Sequence, residues 1–268
     1  ISMGTKPLAS VILRFRNGSK ARANNLKTLI RCISHNPKVE IIVSAMDKDV
    51  DLSEFKGLKE GVANRSRLIH IFDARPFAST TANNLGAARA NSDIFIFQDA
   101  DILFSNEAYD KIIEEVKKGR ESVRVGEECL NLSFESTQKL HTRCKKANWR
   151  SSPIQPHLDL MKKSGKRGCR DAPGAASAIT RKAYAKIGGM CELFQVYGWE
   201  DCYFRYKVKQ LNHISLKMPM IHLHHEVNYQ AGYQKENSGL YSALISANKK
   251  EYAHILDRDR EDLFKKYT

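Results

Sequence analysis

Residues 93–101 read Asp-Ile-Phe-Ile-Phe-Gln-Asp-Ala-Asp, an apolar run that halts abruptly at two carboxylates. A short run of this kind, apolar at every position, is the pattern of a strand buried on both faces, as in a parallel sheet covered by helices. Side chains two residues apart share a face of a strand, so Asp99 and Asp101 can point together only near its C-terminal end. Two acids placed there suit a hard divalent cation that in turn carries phosphate oxygens. Two solvated acids opening a turn would be written with the same letters, so Asp-x-Asp alone does not separate the two readings. Its company does. About a hundred residues later come Gly198-Trp-Glu-Asp201 and then Ile221-His-Leu-His-His225. Together these point to a metal-dependent enzyme acting on a nucleotide-activated substrate.

The preceding segments alternate strand and helix patterns. Ser10–Phe15 is β-like and ends at the turn Asn17-Gly18; Leu26, Leu29, Ile30 and Ile33 then recur at helical spacing until Asn36-Pro37 stops them. Val39–Ser44 and Leu68–Phe72 read as further strands, Thr80–Ala90 as a helix rich in small residues. Tyr109, Ile112, Ile113 and Val116 mark another helix, with Ser105 as its N-cap and Gly119 as its end. This order predicts an α/β fold with a mostly parallel sheet flanked by helices. Ligands in such folds bind beyond the carboxyl ends of the strands. Arg16 and Asn17, Asp47 and Asp49, and the pair Asp99 and Asp101 all fall at those ends.

The second half is less regular. Pro173-Gly-Ala-Ala-Ser-Ala precedes a short helix from about Thr180 to Gly188-Gly189. Phe194–Trp199 leads into a helix carrying Glu200, Asp201, Phe204, Val208 and Leu211. Met218, Met220, His222 and His224 alternate as on a strand, and the tail from Leu240 reads as a charged helix. The whole is expected to be one domain: a nucleotide-binding half over 8–104, an acceptor and catalytic half over 105–228, and a helical tail over 229–268.

Net charge is +14, from 44 Lys and Arg against 30 Asp and Glu. Such a surface attracts polyanions. Much of the excess lies between Lys139 and Arg170, which reads as a long basic loop over the active site or against an anionic membrane. An acidic or lipid-linked glycan is therefore a candidate acceptor. A non-enzymatic polyanion- or nucleic-acid-binding module, with Trp149 among the basic residues, is the competing class. Nucleic acid is not expected as a partner, because paired acids at a strand end repel phosphate unless metal is present. A nucleotidyltransferase would carry a glycine-rich signature near the first strand, where this chain reads Arg14-Phe-Arg-Asn-Gly18.

The six cysteines show no Cys-x-x-Cys spacing, which argues against a structural zinc site. Cys32 falls on an apolar helix face, and one disulfide among Cys129, Cys144 and Cys169 would suit an oxidising compartment. No apolar stretch reaches the roughly 20 residues that span a bilayer. The start, Ile-Ser-Met-Gly, lacks a signal-peptide pattern, and the natural chain is expected to be longer. The compartment stays open between the cytoplasm, the inner face of a membrane and a Golgi lumen.

The ordered set formed by the Asp-rich turn, Asn84-Leu-Gly86, Phe97-Gln-Asp-Ala-Asp101, Pro173-Gly-Ala-Ala, Ile187-Gly-Gly189 and Gly198-Trp-Glu-Asp201 resembles the GT-A fold glycosyltransferases over roughly residues 8–228. Family-2-like enzymes and the C-terminal region of the β-1,4-galactosyltransferases and chondroitin polymerases are the nearest in pattern. The resemblance implies that Asp101, with Asp99, holds Mn²⁺ or Mg²⁺ on the diphosphate of a UDP-sugar of galactose, GalNAc or GlcNAc type. His222 or His224 is then the later metal ligand. Asp47 or Asp49 reads the uracil, and Arg16, Asn84, Asp99 and Trp199 complete the donor contacts. Asp201 is the implied catalytic base, Glu200 positions the acceptor, and the Glu-Asp pair favours inversion over the retaining variant. Ser44-Ala-Met-Asp-Lys-Asp stands where many relatives have Asp-Asp-Gly-Ser, which leaves the nucleotide itself open.

Overall fold

The computed structural model describes residues 6–60, 65–126, 128–146, 166–167, 176–226 and 233–246. The chain opens with β1 (Ala9–Arg16), α1 (Lys20–Ile33) and β2 (Val39–Met46). A 3₁₀ turn at Ser53–Phe55 runs into α2 (Lys56–Lys59), followed by β3 (Leu68–Asp73), α3 (Ser79–Arg89), β4 (Ile94–Asp99) and the short β5 (Ile102–Leu103). Then come α4 (Asn106–Lys117), β6 (Ser122–Val125), β7 (Glu128–Asn131), α5 (Phe134–Lys146) and β8 (Lys166–Arg167). The order closes with β9 (Ala176–Thr180), α6 (Arg181–Lys186), α7 (Glu200–Val208), β10 (His213–Leu216), β11 (Pro219–His222) and α8 (Tyr233–Ser246).

Two sheets result. The larger has seven strands in the order β10-β6-β9-β4-β1-β2-β3, with β9 antiparallel to both its neighbours and every other pairing parallel. The smaller is β5-β11-β7-β8. This is the mostly parallel sheet that the strand and helix order predicts, with the mixed, GT-A-type character that the resemblance implies. Alternation along β1 shows why both faces are covered: Val11 and Leu13 belong to the core shared with α1, α4 and α5, while Ile12 packs with Phe95, Phe97, Tyr184 and Phe204 on the other side. Among the described residues, no helix is long and apolar enough to cross a membrane.

The switch from β1 to α1 is local chemistry. Asn17 and Gly18 break the strand, and Ser19 caps the helix by accepting the Arg22 N–H at 3.3 Å. Helix α3 approaches β1 so closely that a Cβ on Gly86 would lie 2.4 Å from Ile12 Cγ2. Only a residue without a side chain fits there.

Four expectations change. The basic stretch expected as a loop begins as a helix: Lys139, Arg143, Lys145 and Lys146 lie on α5, whose buried Thr137, Leu140, His141 and Cys144 repeat at helical spacing. Most of its remainder, with Trp149 and Cys169, lies outside the described residues. The strand expected through His224 stops at His222, and the helix expected through Leu211 stops at Val208. Cys129 and Cys144 are buried thiols, and Cys144 shares a thiol hydrogen bond with Cys32 of α1. No disulfide forms among the described cysteines.

At the α1–α5 seam His141 Nε2–H donates to Asn25 Oδ1 at 2.8 Å, while its buried Nδ1 has no partner among the described residues. Burial, helped by the Arg31 charge, lowers the His141 pKa below the ordinary 6.5. The unfolded chain therefore binds the proton more tightly, and the contribution of this ring to stability falls as pH drops below 6.5. Compared with His141→Gln, the wild type should lose urea stability as pH is lowered from 7.5 to 5, and parallel curves would refute the assignment. Gly86→Ala should lower stability by about 1–3 kcal/mol through overpacking against Ile12, read from urea midpoints.

Candidate active site

The carboxyl ends of β1, β2 and β4 open into a cleft of about 550 Å³, whose far wall is the end of β11 and the chain just beyond it. Strand β4 delivers Asp99 and Asp101 to this cleft, but to different partners. Asp101 meets two imidazoles: His225 Nε2 lies 3.0 Å from its Oδ2 and His222 Nε2 lies 3.8 Å from its Oδ1. One ligand atom from each of the three residues falls within 4.8 Å of the others, a spacing that admits a metal ion. Asp99 turns instead to Arg14, its register partner on β1, with Arg14 Nε and Nη2 at 2.9 and 2.8 Å from Oδ1.

The tautomers of the two histidines follow from their other ring nitrogens. His222 Nδ1 lies 3.1 Å from Asn131 Oδ1 and His225 Nδ1 lies 2.9 Å from the Glu226 carbonyl. Both partners only accept, so both Nδ1 atoms carry hydrogen. Nε2 of each ring then faces Asp101; that of His225 donates to the carboxylate, and on giving up this proton it would join His222 Nε2 as a ligand atom, with the outer hydrogen bond found in nearly all metal-binding histidines. Burial alone would raise Asp101, but the hydrogen bond from His225 and the nearby charges of His222, His225 and Arg22 hold its carboxyl below the usual carboxylate value. The same bond raises His225, whereas burial lowers His222. Burial, with the charges of Asp101 and Asp201, pushes Asp99 up to about 7 against the pull of Arg14.

Arg16 and Asp47 both line the cleft, 3.8 Å apart at Arg16 Nε and Asp47 Oδ2, beside Phe77. Asp47 adopts a left-handed backbone, φ 72°, which turns the chain so that Asp49 leaves the cleft and meets His70 at 3.0 Å. Between the two acids, the cleft belongs to Asp47. His224 is not brought to Asp101: its ring stands edge-on to exposed Phe134, 5.7 Å between centroids. Alternation ends with the strand at His222, so His225 takes the place expected for His224.

Asn84 is also placed elsewhere. Its amide is consumed in the core by the Tyr184 hydroxyl, the Met190 N–H and carbonyl, and Glu192 Oε1, and it does not reach the cleft. Glu200 is buried, and its carboxylate accepts from Ser79 Oγ at 2.7 Å and from the Gly198 N–H, with Arg14 Nη1 3.6 Å away. It braces the start of α7 and does not line the large cleft. Asp201, one residue on, borders a small adjoining cavity with Arg14, Asp99, Glu200 and Asn83, and its Oδ1 accepts the Cys202 N–H at 2.7 Å. Trp199 is 38% exposed, and its ring centroid lies 5.1 Å from that of Tyr241 on α8. Val196, Gly198 and Trp199 all have positive φ, at 53°, 109° and 68°, so the approach to Asp201 is a sharply turned segment.

Sequence reasoning missed Arg14 and His225. A charged residue inside Val-Ile-Leu-Arg-Phe was the available signal for Arg14. For His225 there was only the doubled histidine. Because Asn84 serves the core, Asn84→Ala should lower stability by about 1–3 kcal/mol through the orphaned hydroxyl and amide it leaves behind. Read from urea midpoints, unchanged stability would free Asn84 from the core and return it to the cleft.

The family described as glycosyltransferase like family 2 matches the chain over residues 10–252. No curated protein matches it. A parallel-sheet cleft with acids at its strand ends agrees with that match, which covers nearly the whole sequence: the chain belongs to the glycosyltransferase-like family 2 and is a glycosyltransferase.

Proposed function

We propose that this glycosyltransferase is metal-dependent and inverting, moving a hexose of galactose, GalNAc or GlcNAc type from a UDP-sugar to a hydroxyl of a glycan acceptor. The observation that carries this reading is the convergence of Asp101, His222 and His225 on one point of the cleft, with both Nδ1–H groups already committed. One carboxylate and two imidazoles fit Mn²⁺ better than Mg²⁺, which prefers oxygen ligands throughout. The cation would offset negative charge growing on the departing diphosphate.

The remaining roles belong to side chains of this chain. Asp47, Arg16 and Phe77 form the nucleoside end of the cleft in this reading. Asp201 is the general base: it stands in the first turn of α7, where the helix terminus favours an anion. One of its oxygens is held by the Cys202 N–H, and the other takes the acceptor proton. Arg14 and Glu200 hold that turn against Asp99. Residues 8–104 then supply the donor side and 105–228 the acceptor side, with the cation shared between the halves; Tyr233–Ser246, helix α8, belongs to the tail beyond them. The exposed cations Lys139, Arg143, Lys145 and Lys146 of α5 support an acidic glycan as acceptor.

Calorimetric titration with UDP tests the donor side. Binding should require Mn²⁺ and vanish in EDTA; binding that ignores EDTA would remove the metal from the reading. His225→Ala and Asp101→Ala should each weaken Mn²⁺-dependent UDP binding by about tenfold or more, as ligand loss does. His224→Ala should stay within about twofold, since its ring is not brought to the site. Asp201→Asn should keep UDP affinity and lower transfer by about 10²–10⁴-fold, and full activity in that variant would exclude Asp201 as base.

A further inference from the structure

We propose that Asn25, Thr137 and Asn131 are positioning residues for the cation site, fixing both imidazoles before a cation arrives. The inference rests on the metal-dependent reading of Asp101, His222 and His225. His222 ends β11, and His225 lies beyond it, where no ladder partner holds the backbone. Two rings carried by such a segment would wander unless the chain between them were tied.

It is tied at four backbone polar groups between the His222 and His224 carbonyls. The His222 carbonyl accepts the Leu132 N–H at 2.9 Å, and the Leu223 N–H donates to the Asp101 carbonyl at 2.9 Å. The His224 N–H donates to Thr137 Oγ1 at 3.0 Å, and the His224 carbonyl accepts Asn25 Nδ2–H at 3.3 Å. Leu223 is fully buried between these ties. Two of the four come from side chains that packing alone does not explain. Asn25 is fully buried on α1, Thr137 is 1% exposed on α5, and an apolar residue would fill either place with no polar group to satisfy. Asn25 is itself fixed, since its Oδ1 accepts the His141 Nε2–H. Helices α1 and α5 thus hold His224 by both ends of its backbone, which explains why its own ring is turned away while its neighbours face the site.

Asn131 acts on a ring directly. It is the register partner of His222 across β7 and β11, and its Oδ1 takes the Nδ1–H, fixing tautomer and ring angle together. Outer partners of this kind are worth about 10–100-fold in metal affinity when removed.

The test measures Mn²⁺ affinity of the full chain, with and without UDP, from the free Mn²⁺ signal in electron paramagnetic resonance. Thr137→Val keeps the shape and removes the hydroxyl, so Mn²⁺ should bind about tenfold more weakly, while Thr137→Ser should stay within about twofold of wild type. Asn131 is exposed, so Asn131→Ala puts folding at no risk, and it should weaken Mn²⁺ by about threefold or more. Wild-type affinity in both Thr137→Val and Asn131→Ala would overturn the positioning roles and leave the metal site standing. Equal losses in Thr137→Val and Thr137→Ser would overturn them too, marking the effect as packing. Failure of the wild type to bind Mn²⁺ under either condition would overturn both this inference and the metal-dependent reading beneath it.

Discussion

Arg14 is the interaction on which the site depends. Its guanidinium lies at the end of β1, between Asp99 of β4 and Glu200 of α7, with only 18% of the side chain exposed. Burial opposes the charge, yet Asp99, Glu200 and Asp201 together hold the group firmly protonated. Three acids could not share so small a volume without a cation among them. Leaving such a buried pair broken is worth about 3–5 kcal/mol, so the arrangement is maintained by electrostatics as much as by packing. Through it the parallel sheet, which fixes Asp99 and Asp101, is joined to the irregular segment that carries Asp201.

The small sheet performs the matching task on the other wall. Strand β11 lies between β5, which follows Asp101 directly, and β7, which ends at Asn131. Asp101 is the residue immediately before β5, which pairs with β11, so the carboxylate and the histidines are held in one frame although more than a hundred residues divide them. Large sheet and small sheet meet at Asp101, whose carbonyl is bonded to Leu223 and whose carboxylate faces both rings.

Much of this was legible in the residues. Apolar runs ending at acids located the strands, because burial on both faces leaves only the strand ends for polar chemistry. Asp47, Arg16 and Asp101 followed from that rule. What the sequence hid depended on where regular geometry stops. Period-two reasoning carried to His224 because nothing in Met-Ile-His-Leu-His-His marks the strand's end at His222. Asn84 looked like a donor contact, but its partners Tyr184, Met190 and Glu192 lie about a hundred residues away and are visible only after folding. Helix α5 was obscured by its charge, since the outer face of an amphipathic helix and a basic loop have the same composition.

The left-handed turn at Val196, Gly198 and Trp199 has a consequence for how such a molecule can change over generations. A β-branched residue at positive φ is uncommon, and the turn is kept by ties from outside the sheet: Ser79 N–H to the Val196 carbonyl, and Asn237 of α8 to Gln195 and to the Tyr197 carbonyl. None of those ties passes through Asp101, His222 or His225. Substitutions in α8 can therefore reshape the wall of the cleft formed by Val196 and Tyr197 while the wall at Asp101, His222 and His225 stays as it is. Lineages carrying this architecture are free to diverge on one wall of the cleft and are held to their ancestry on the other.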